Sequence, residues 1–114
     1  MRQLESKLQQ SCVKWFRLQY PKLVLFAVPN GGSRNVLEAA KMKREGVMAG
    51  VADLILLKQN ANYGALCIEM KYGGGRQSDH QKQFEKYCHR YGYQYAVCRT
   101  FDEFRDTVEC YINE

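Results

Sequence analysis

The sequence predicts an α/β fold in which helices flank a mixed β-sheet, with the element order α-β-α-β-β-α-β-α. Three observations predict this class. Segments with helical apolar spacing alternate with short apolar runs, two helix-opening motifs occur at Ser78 and Thr100, and glycine- or proline-containing stretches separate the segments. The chain has 114 residues, of which 46% are hydrophobic, so we expect one domain over residues 1–114.

The first helix and the first strand are predicted from the spacing of apolar residues. Residues 3–19 form an amphipathic helix that ends before Pro21, and its apolar face consists of Leu4, Leu8, Cys12 and Trp15. Residues 23–28 are a short apolar run between two prolines, and this length favours a buried strand.

A second, shorter helix is predicted over residues 36–45. Turn-forming residues 29–33 precede it and Gly46 ends it. Its inward-facing positions are expected to be Val36, Leu37, Ala40 and the stem of Lys43.

Two further apolar runs, residues 52–58 and 64–71, are joined by five residues and predict an antiparallel hairpin. Their central residues, 54–57 and 66–68, are expected to be buried on both faces of the sheet. Two capping boxes then open helices, Ser78 with Gln81 and Thr100 with Glu103. The predicted ranges are a helix from 78 to about 91, a strand over 93–98 and a helix from 100 to about 112.

Composition excludes several classes of protein. Nine glycines and two prolines are too few for a collagen-like or low-complexity chain, and the longest apolar run is far shorter than the roughly 20 residues that cross a bilayer. The N-terminal residues contain no apolar block before a cleavage site, and the five cysteines form no CxxC motif, so we expect an intracellular, reducing location. The net charge of +5 suits a polyanionic partner.

The hairpin brings charged residues together. If its turn is centred on Ala61, Asp53 lies opposite Glu69, where Cβ atoms of paired residues are roughly 5 Å apart. Lys71 lies two residues further along the strand and therefore on the same face. A slip of one residue in the register would send one carboxylate to the other face.

Folding alone gives no reason to place two carboxylates opposite each other among apolar neighbours. A divalent cation such as Mg²⁺ gives one, because it binds one or two carboxylates together with water and phosphate oxygens. With a nearby lysine, such a site suits hydrolysis of a phosphodiester. The alternative interpretation is structural: Asp53 caps a strand edge, and Glu69 forms a solvated ion pair with Lys71 that contributes about 0–1 kcal/mol.

Three sequence motifs together resemble the VRR-NUC (virus-type replication-repair nuclease) branch of the PD-(D/E)XK nuclease superfamily: GVMAGVADL at 46–54, IEMK at 68–71 and SDHQ at 78–81. The resemblance covers about residues 5–97 and implies a restriction-endonuclease-like fold. The sequence has Ala52 and, near the glutamine phrase, Asp79 where the family often has proline.

The resemblance implies that Mg²⁺ or Mn²⁺ is held by Glu5, Asp53, Glu69 and the main-chain carbonyl of Met70. It further implies that Lys71 is the catalytic lysine and that Gln81 is a supporting polar residue of the catalytic group formed with Asp53 and Glu69. The residues themselves leave both Glu5 and Gln81 open to plain roles, the first as an exposed glutamate of a first helical turn and the second as a cap.

Candidate DNA contacts come from basic residues near the glycine-rich segments. Arg34 and Arg76 follow Gly31-Gly32 and Gly73-Gly74-Gly75, where a backbone without side chains can approach a ligand. Lys41 and Arg44 lie on the second helix, where basic side chains are more often simply solvated.

We therefore expect a metal-dependent DNA endonuclease. The resemblance to stand-alone members of the family suggests branched DNA such as a four-way junction, and paired incisions in such a junction suggest a homodimer. Two alternatives remain: a non-catalytic nucleic-acid-binding module with the nuclease fold, and a protein-interaction domain that uses its basic face.

Overall fold

The computed structural model describes residues 2–29 and 35–114 and contains the eight elements in the predicted order. Their bounds are α1 Arg2–Gln19, β1 Leu25–Ala27, α2 Val36–Arg44, β2 Leu54–Leu56, β3 Leu66–Met70, α3 Asp79–Tyr91, β4 Gln94–Cys98 and α4 Phe101–Asn113. The predicted α/β class with a mixed sheet and flanking helices is confirmed. The strands are shorter than the apolar runs that predicted them, although some run ends still pair with the neighbouring segment, for example Val28 with Asp53.

The four strands form one sheet in the order β1-β2-β3-β4. The β1–β2 and β2–β3 pairs are antiparallel, and the β3–β4 pair is parallel. In the hairpin, Leu54 pairs with Ile68 and Leu56 with Leu66, which is the register assumed from a turn centred on Ala61. All five residues of β3 are buried, as expected for a central strand.

The prediction of a fully buried first strand is wrong. Because β1 lies at the edge of the sheet, only Leu25 is buried, and Phe26 and Ala27 are exposed. Leu57 was also expected to be buried, but it follows the end of β2 and is exposed.

Helices α1 and α4 cover one face of the sheet. Apolar side chains of β2, β3 and both helices form a large cluster that excludes water; its largest members are Tyr111, Phe16, Phe104, Leu54, Leu56, Leu66, Ile68 and Met70. Tyr111 also donates a hydrogen bond of 2.6 Å to the carbonyl of Lys58 and so ties α4 to the β2–β3 turn. We call this side of the sheet the core face.

Helix α3 covers the opposite face, which we call the α3 face. Its buried apolar cluster is small and consists of Ala52, Cys67, Cys88 and Tyr95, with Ile55, Phe84 and Val97 partly buried against it. All five cysteines of the chain are free thiols. Among the described residues, no helix combines the length and apolar character needed to cross a membrane.

The helix caps differ in one respect from the prediction. The Ser78–Gln81 capping box of α3 is complete. At α4, Thr100 Oγ1 accepts from the amide of Glu103 as expected, but the Glu103 carboxylate accepts from the amide of Arg99, one residue earlier than a capping box requires.

Helix α2 does not bury the residues predicted to face inward. Val36 and Leu37 are 83% and 82% exposed, and no residue of α2 is buried. The reason is that α1, α3 and α4 supply the helical residues of both clusters, which leaves α2 without sheet surface to cover. The loop predicted at 29–33 lies, apart from Pro29, outside the described residues.

Candidate active site

The hairpin register brings Asp53 and Glu69 together on the α3 face. Asp53 directly precedes β2, and the pairing of Leu54 with Ile68 continues to place it opposite Glu69. Asp53 Oδ2 accepts a 2.7 Å hydrogen bond from the amide of Met70, which fixes its carboxylate against β3. The neighbouring carboxylate of Glu69 is 2% exposed.

The two oxygens of Glu69 have different surroundings. Oε2 accepts a 2.9 Å hydrogen bond from Gln81 Nε2 and lies 3.8 Å from the ammonium of Lys71. Oε1 is buried and accepts no hydrogen bond from any described residue. A buried carboxylate oxygen without a donor is unfavourable for folding, and it is available to a ligand that brings positive charge.

Burial raises the pKa of Glu69 from its ordinary value of 4.5 to about 8. Repulsion from the neighbouring Asp53 carboxylate acts in the same direction, as does the charge of Glu5, while Lys71 opposes them. Without a cation the pair therefore holds a proton near neutral pH. Such competition between a proton and a cation is typical of carboxylates that bind a metal.

Lys71 enters the site from the end of β3. Its amide donates a 3.0 Å hydrogen bond to the carbonyl of Cys98, which extends the parallel ladder by one residue. Its side chain is 13% exposed, so the ammonium is held at the boundary between the buried acids and solvent.

Gln81 performs two tasks with one side chain. Its Oε1 accepts from the amide of Ser78 and completes the cap of α3, while its Nε2 donates to Glu69. The capping interpretation and the supporting role implied by the resemblance are therefore both compatible with this geometry. The cap fixes the position from which the amide reaches the carboxylate.

Gly50 allows α3 to approach the hairpin this closely, a role that the sequence analysis did not assign. Its φ of +85° favours glycine, and a Cβ at this position would lie 2.4 Å from the carbonyl carbon and oxygen of His80 and 2.8 Å from the amide of Gln81. The signal in the sequence was the glycine that precedes Val51 in the motif of residues 46–54.

Glu5 reaches the site from the first turns of α1. Its Oε2 accepts a 3.3 Å hydrogen bond from the amide of Tyr72, directly after Lys71, and its charge acts on Glu69. The side chain of Met70 points away from the site into the core cluster, so only main-chain atoms of Met70 are available to a ligand.

The residues present fit a hard divalent cation. Within residues 2–29 and 35–114, no three His, Cys, Asp or Glu side chains lie close enough to enclose a metal ion by themselves. Mg²⁺ does not require such a cage, because it commonly binds one or two carboxylates and completes its shell with carbonyl, water and phosphate oxygens. The donor-free oxygen of Glu69 beside the Asp53 carboxylate matches that need.

Three of the four predicted DNA contacts lie among the described residues, and all three are exposed. Lys41 and Arg44 are exposed on α2, Arg76 is exposed after the glycine-rich loop, and Arg34 lies outside the described residues. A groove of about 1130 Å³ runs between α2 and α3, and its lining includes Lys43, Gly50 and His80. The groove therefore extends to residues next to Gln81, whose side chain donates to Glu69.

One further residue at the site was missed by sequence reasoning. Arg99 donates hydrogen bonds from Nη1 to the carbonyl oxygens of Gly73 and Gly75, at 3.0 and 2.6 Å. The signal was indirect, since only the parallel register of β3 and β4 shows that Arg99 lies beside Lys71.

Two facing carboxylates and a lysine at the ends of neighbouring strands are the arrangement that the resemblance to nuclease domains implies. Comparison with known proteins identifies the particular family: a model of the VRR-NUC domain matches residues 1–102, so the chain belongs to that family. Membership implies a nuclease-type function with DNA as substrate.

A solved structure described as a VRR_NUC domain protein has the same fold. The two chains are 27% identical, and the match covers 96% of this chain and 88% of the other with a TM-score of 0.80. No curated protein matches the sequence significantly.

Proposed function

We propose that residues 1–114 act as one nuclease domain that hydrolyses DNA phosphodiesters internally and depends on Mg²⁺ or Mn²⁺. The observation that carries this proposal is the buried pair of Asp53 and Glu69, in which Glu69 Oε1 has no donor among the described residues. In a protein without a ligand here, this arrangement only destabilises the fold.

The cation would be held by the carboxylates of Asp53 and Glu69, by the main-chain carbonyl of Met70 and, from α1, by Glu5. When bound, such an ion polarises a phosphoryl oxygen and lowers the pKa of water. The protein's own contribution is to keep the acids fixed, and the hydrogen bonds from the Met70 amide to Asp53 and from Gln81 to Glu69 do this.

Lys71 and Gln81 complete the proposed catalytic group. The ammonium of Lys71 compensates the negative charge that develops at the phosphorus centre and orients the attacking water. Gln81 occupies Oε2 of Glu69, which leaves Oε1 as the oxygen that faces the ligand.

The basic residues around the site supply the contacts to the phosphate backbone. We propose this role for Arg34, Lys41, Arg44 and Arg76, whose charges attract DNA independently of its sequence. We further propose branched DNA such as a four-way junction as the preferred substrate. Because a symmetric junction requires two incisions and the chain carries one site, the active form would be a homodimer in a reducing, intracellular location.

The alternative is a nucleic-acid-binding module that keeps the fold without catalysis. The net charge of +5 suits this alternative as well as the nuclease. This alternative predicts binding that weakens with salt and does not respond to a chelator.

The test uses purified protein with labelled linear, flap and four-way DNA, in Mg²⁺, Mn²⁺ or EDTA. We expect cleavage only with a cation, and a loss on the order of a thousandfold in Asp53→Asn, because this change removes one of two carboxylates. Asp106→Asn serves as the control, since Asp106 is an exposed aspartate on α4. Wild-type cleavage by Asp53→Asn, or binding without any cleavage, would contradict the proposal.

A further inference from the structure

The segment after Lys71 needs support from outside itself. Gly73, Gly74 and Gly75 follow Tyr72, and consecutive glycines lose more conformational entropy on ordering than other residues. The local turn has a single long hydrogen bond of 3.4 Å, from the amide of Gly75 to the carbonyl of Tyr72. We call residues 72–75 the glycine loop.

Two side chains hold the glycine loop, one at each end. Glu5 of α1 accepts from the amide of Tyr72, and Arg99 at the end of β4 donates to the carbonyls of Gly73 and Gly75. The loop therefore supplies a hydrogen bond that fixes the Glu5 carboxylate near the proposed cation site. If the loop opens, Glu5 loses its anchor.

The loop also borders Lys71. A Cβ at Gly75 would lie 3.6 Å from Cδ of Lys71, so the folded loop packs against the lysine stem. The parallel register that pairs Met70 with Cys98 places Arg99 beside Lys71 on the same face of the sheet. Arg99 thus limits the movement of both Lys71 and Glu5.

The position of Arg99 is itself well fixed. Glu103 Oε1 accepts a 2.7 Å hydrogen bond from its amide, in place of the usual capping-box partner. Within the described residues its guanidinium forms no ion pair with a carboxylate. Its two short bonds go to main-chain carbonyls, where a forked guanidinium acts as a brace.

We propose that Arg99 is a positioning residue of the nuclease site. By bracing the glycine loop, it holds Glu5 close to the proposed cation and Lys71 close to the scissile phosphate. This inference rests on the proposed function and adds to it a residue that touches neither the cation nor the DNA. Residues that orient metal ligands typically contribute about tenfold to hundredfold in affinity or rate.

The test compares Arg99→Met with Arg90→Met, which removes an exposed arginine of α3 that lies over Tyr91. The first readout needs neither DNA nor cation: chymotrypsin cleavage after Tyr72, followed by mass spectrometry. Arg99→Met is expected to raise this rate about tenfold, because the loop loses two charge-assisted hydrogen bonds, and Arg90→Met is expected to leave it unchanged. Equal rates in all three proteins would overturn the proposal.

The second readout is Mn²⁺ binding by calorimetry, and the third is the salt dependence of DNA binding in EDTA. Arg99→Met is expected to weaken Mn²⁺ binding about tenfold and to leave the salt slope as in wild type. A slope reduced by about 1 with normal Mn²⁺ binding would overturn the proposal and identify Arg99 as a phosphate contact.

The Mn²⁺ titration distinguishes failure of the proposed function from failure of the role of Arg99. A wild-type protein that takes up no Mn²⁺ would overturn the proposed function. Uptake by wild type that Arg99→Met matches would overturn the role of Arg99 alone.

Discussion

The two faces of the sheet differ in the groups that they bury. On the core face, α1 and α4 close over large apolar side chains, and the polar group of Tyr111 finds a partner in the carbonyl of Lys58. On the α3 face a much smaller apolar cluster borders a buried glutamate with a donor-free oxygen. β3 contributes to both faces, with Ile68 and Met70 on one side and Glu69 on the other.

The fold gains stability on one face of the sheet and loses part of it on the other. Burial of apolar side chains stabilises the core face, and the electrostatic repulsion on the α3 face reduces that gain. A surplus on one face permits an unfavourable arrangement on the other, as is common at functional sites. Substitutions on the two faces should therefore affect different properties.

The largest expected effect on stability is at Phe104, which is fully buried on the core face. Phe104→Ala should lower the free energy of unfolding by about 3–5 kcal/mol, because the lost contacts leave a cavity. Urea denaturation measures this change, and Phe26→Ala on the exposed edge strand is the control with a much smaller loss. DNA cleavage per folded molecule should stay at the wild-type rate. A loss of cleavage beyond the loss of folded protein would contradict the separate roles of the two faces.

Lys71→Ala should lower cleavage strongly and change stability little. We expect cleavage to fall on the order of a hundredfold or more, because the ammonium no longer compensates charge at the phosphorus centre. Stability should change by less than about 1 kcal/mol, since the pair with Glu69 is long at 3.8 Å and Glu69 can take up a proton instead. Single-turnover cleavage and thermal melting measure the two quantities, with the exposed Lys86→Ala as control. Wild-type cleavage by Lys71→Ala would refute its assigned role.

Glu69→Gln should make the cation-free protein more stable at pH 8. The pKa of Glu69 is raised in the folded state, so the unfolded chain binds fewer protons between its ordinary value of 4.5 and about 8. Stability of the wild type should therefore fall as pH rises through this window. The amide carries no charge, so the variant should lack this decline and gain about 1–3 kcal/mol at pH 8.

Melting curves of both proteins in EDTA between pH 5 and pH 8.5 check this prediction. Added Mn²⁺ should stabilise the wild type at pH 8 and leave Glu69→Gln unchanged. Parallel pH profiles for the two proteins would show that burial of Glu69 does not determine the stability of the α3 face.

The smallest expected effects are those of substitutions in two hydrogen-bonded turns. Ser78→Ala removes the cap of α3 and should lower stability by about 1 kcal/mol and cleavage severalfold, because the cap holds Gln81 beside Glu69. Asn60→Ala, in the β2–β3 turn at the other end of the hairpin, should lower stability similarly without affecting cleavage. Equal cleavage by the two variants would show that the Ser78 cap is only structural.

Much of the fold could be predicted from the sequence because its signals are local. Apolar spacing and capping residues identified all eight elements, and a turn centred on Ala61 was enough to obtain the register that places Asp53 opposite Glu69. The closeness of Lys71 to Glu69 followed from strand alternation, whereas the position of Gln81 beside Glu69 was implied only by the family resemblance. The catalytic roles of these residues remain predictions.

Other features depend on packing that one sequence does not display. The apolar run at 23–28 cannot reveal that β1 lies at an edge, and the apolar residues of α2 cannot reveal that three other helices already cover the sheet. Likewise, the brace from Arg99 to the glycine loop joins residues 24 and 26 positions apart through a parallel strand pair. Such contacts are determined by tertiary structure rather than by local pattern.

The central claim is that Asp53 and Glu69 form a binding site for a divalent cation. The most direct measurement is anomalous diffraction from a crystal soaked in Mn²⁺ at pH 8, near the raised pKa of Glu69, where the proton competes with the cation less strongly than at lower pH. We expect one strong peak between the two carboxylates, in contact with Glu69 Oε1. No peak at this position, in crystals of protein that cleaves DNA in the same buffer, would contradict it.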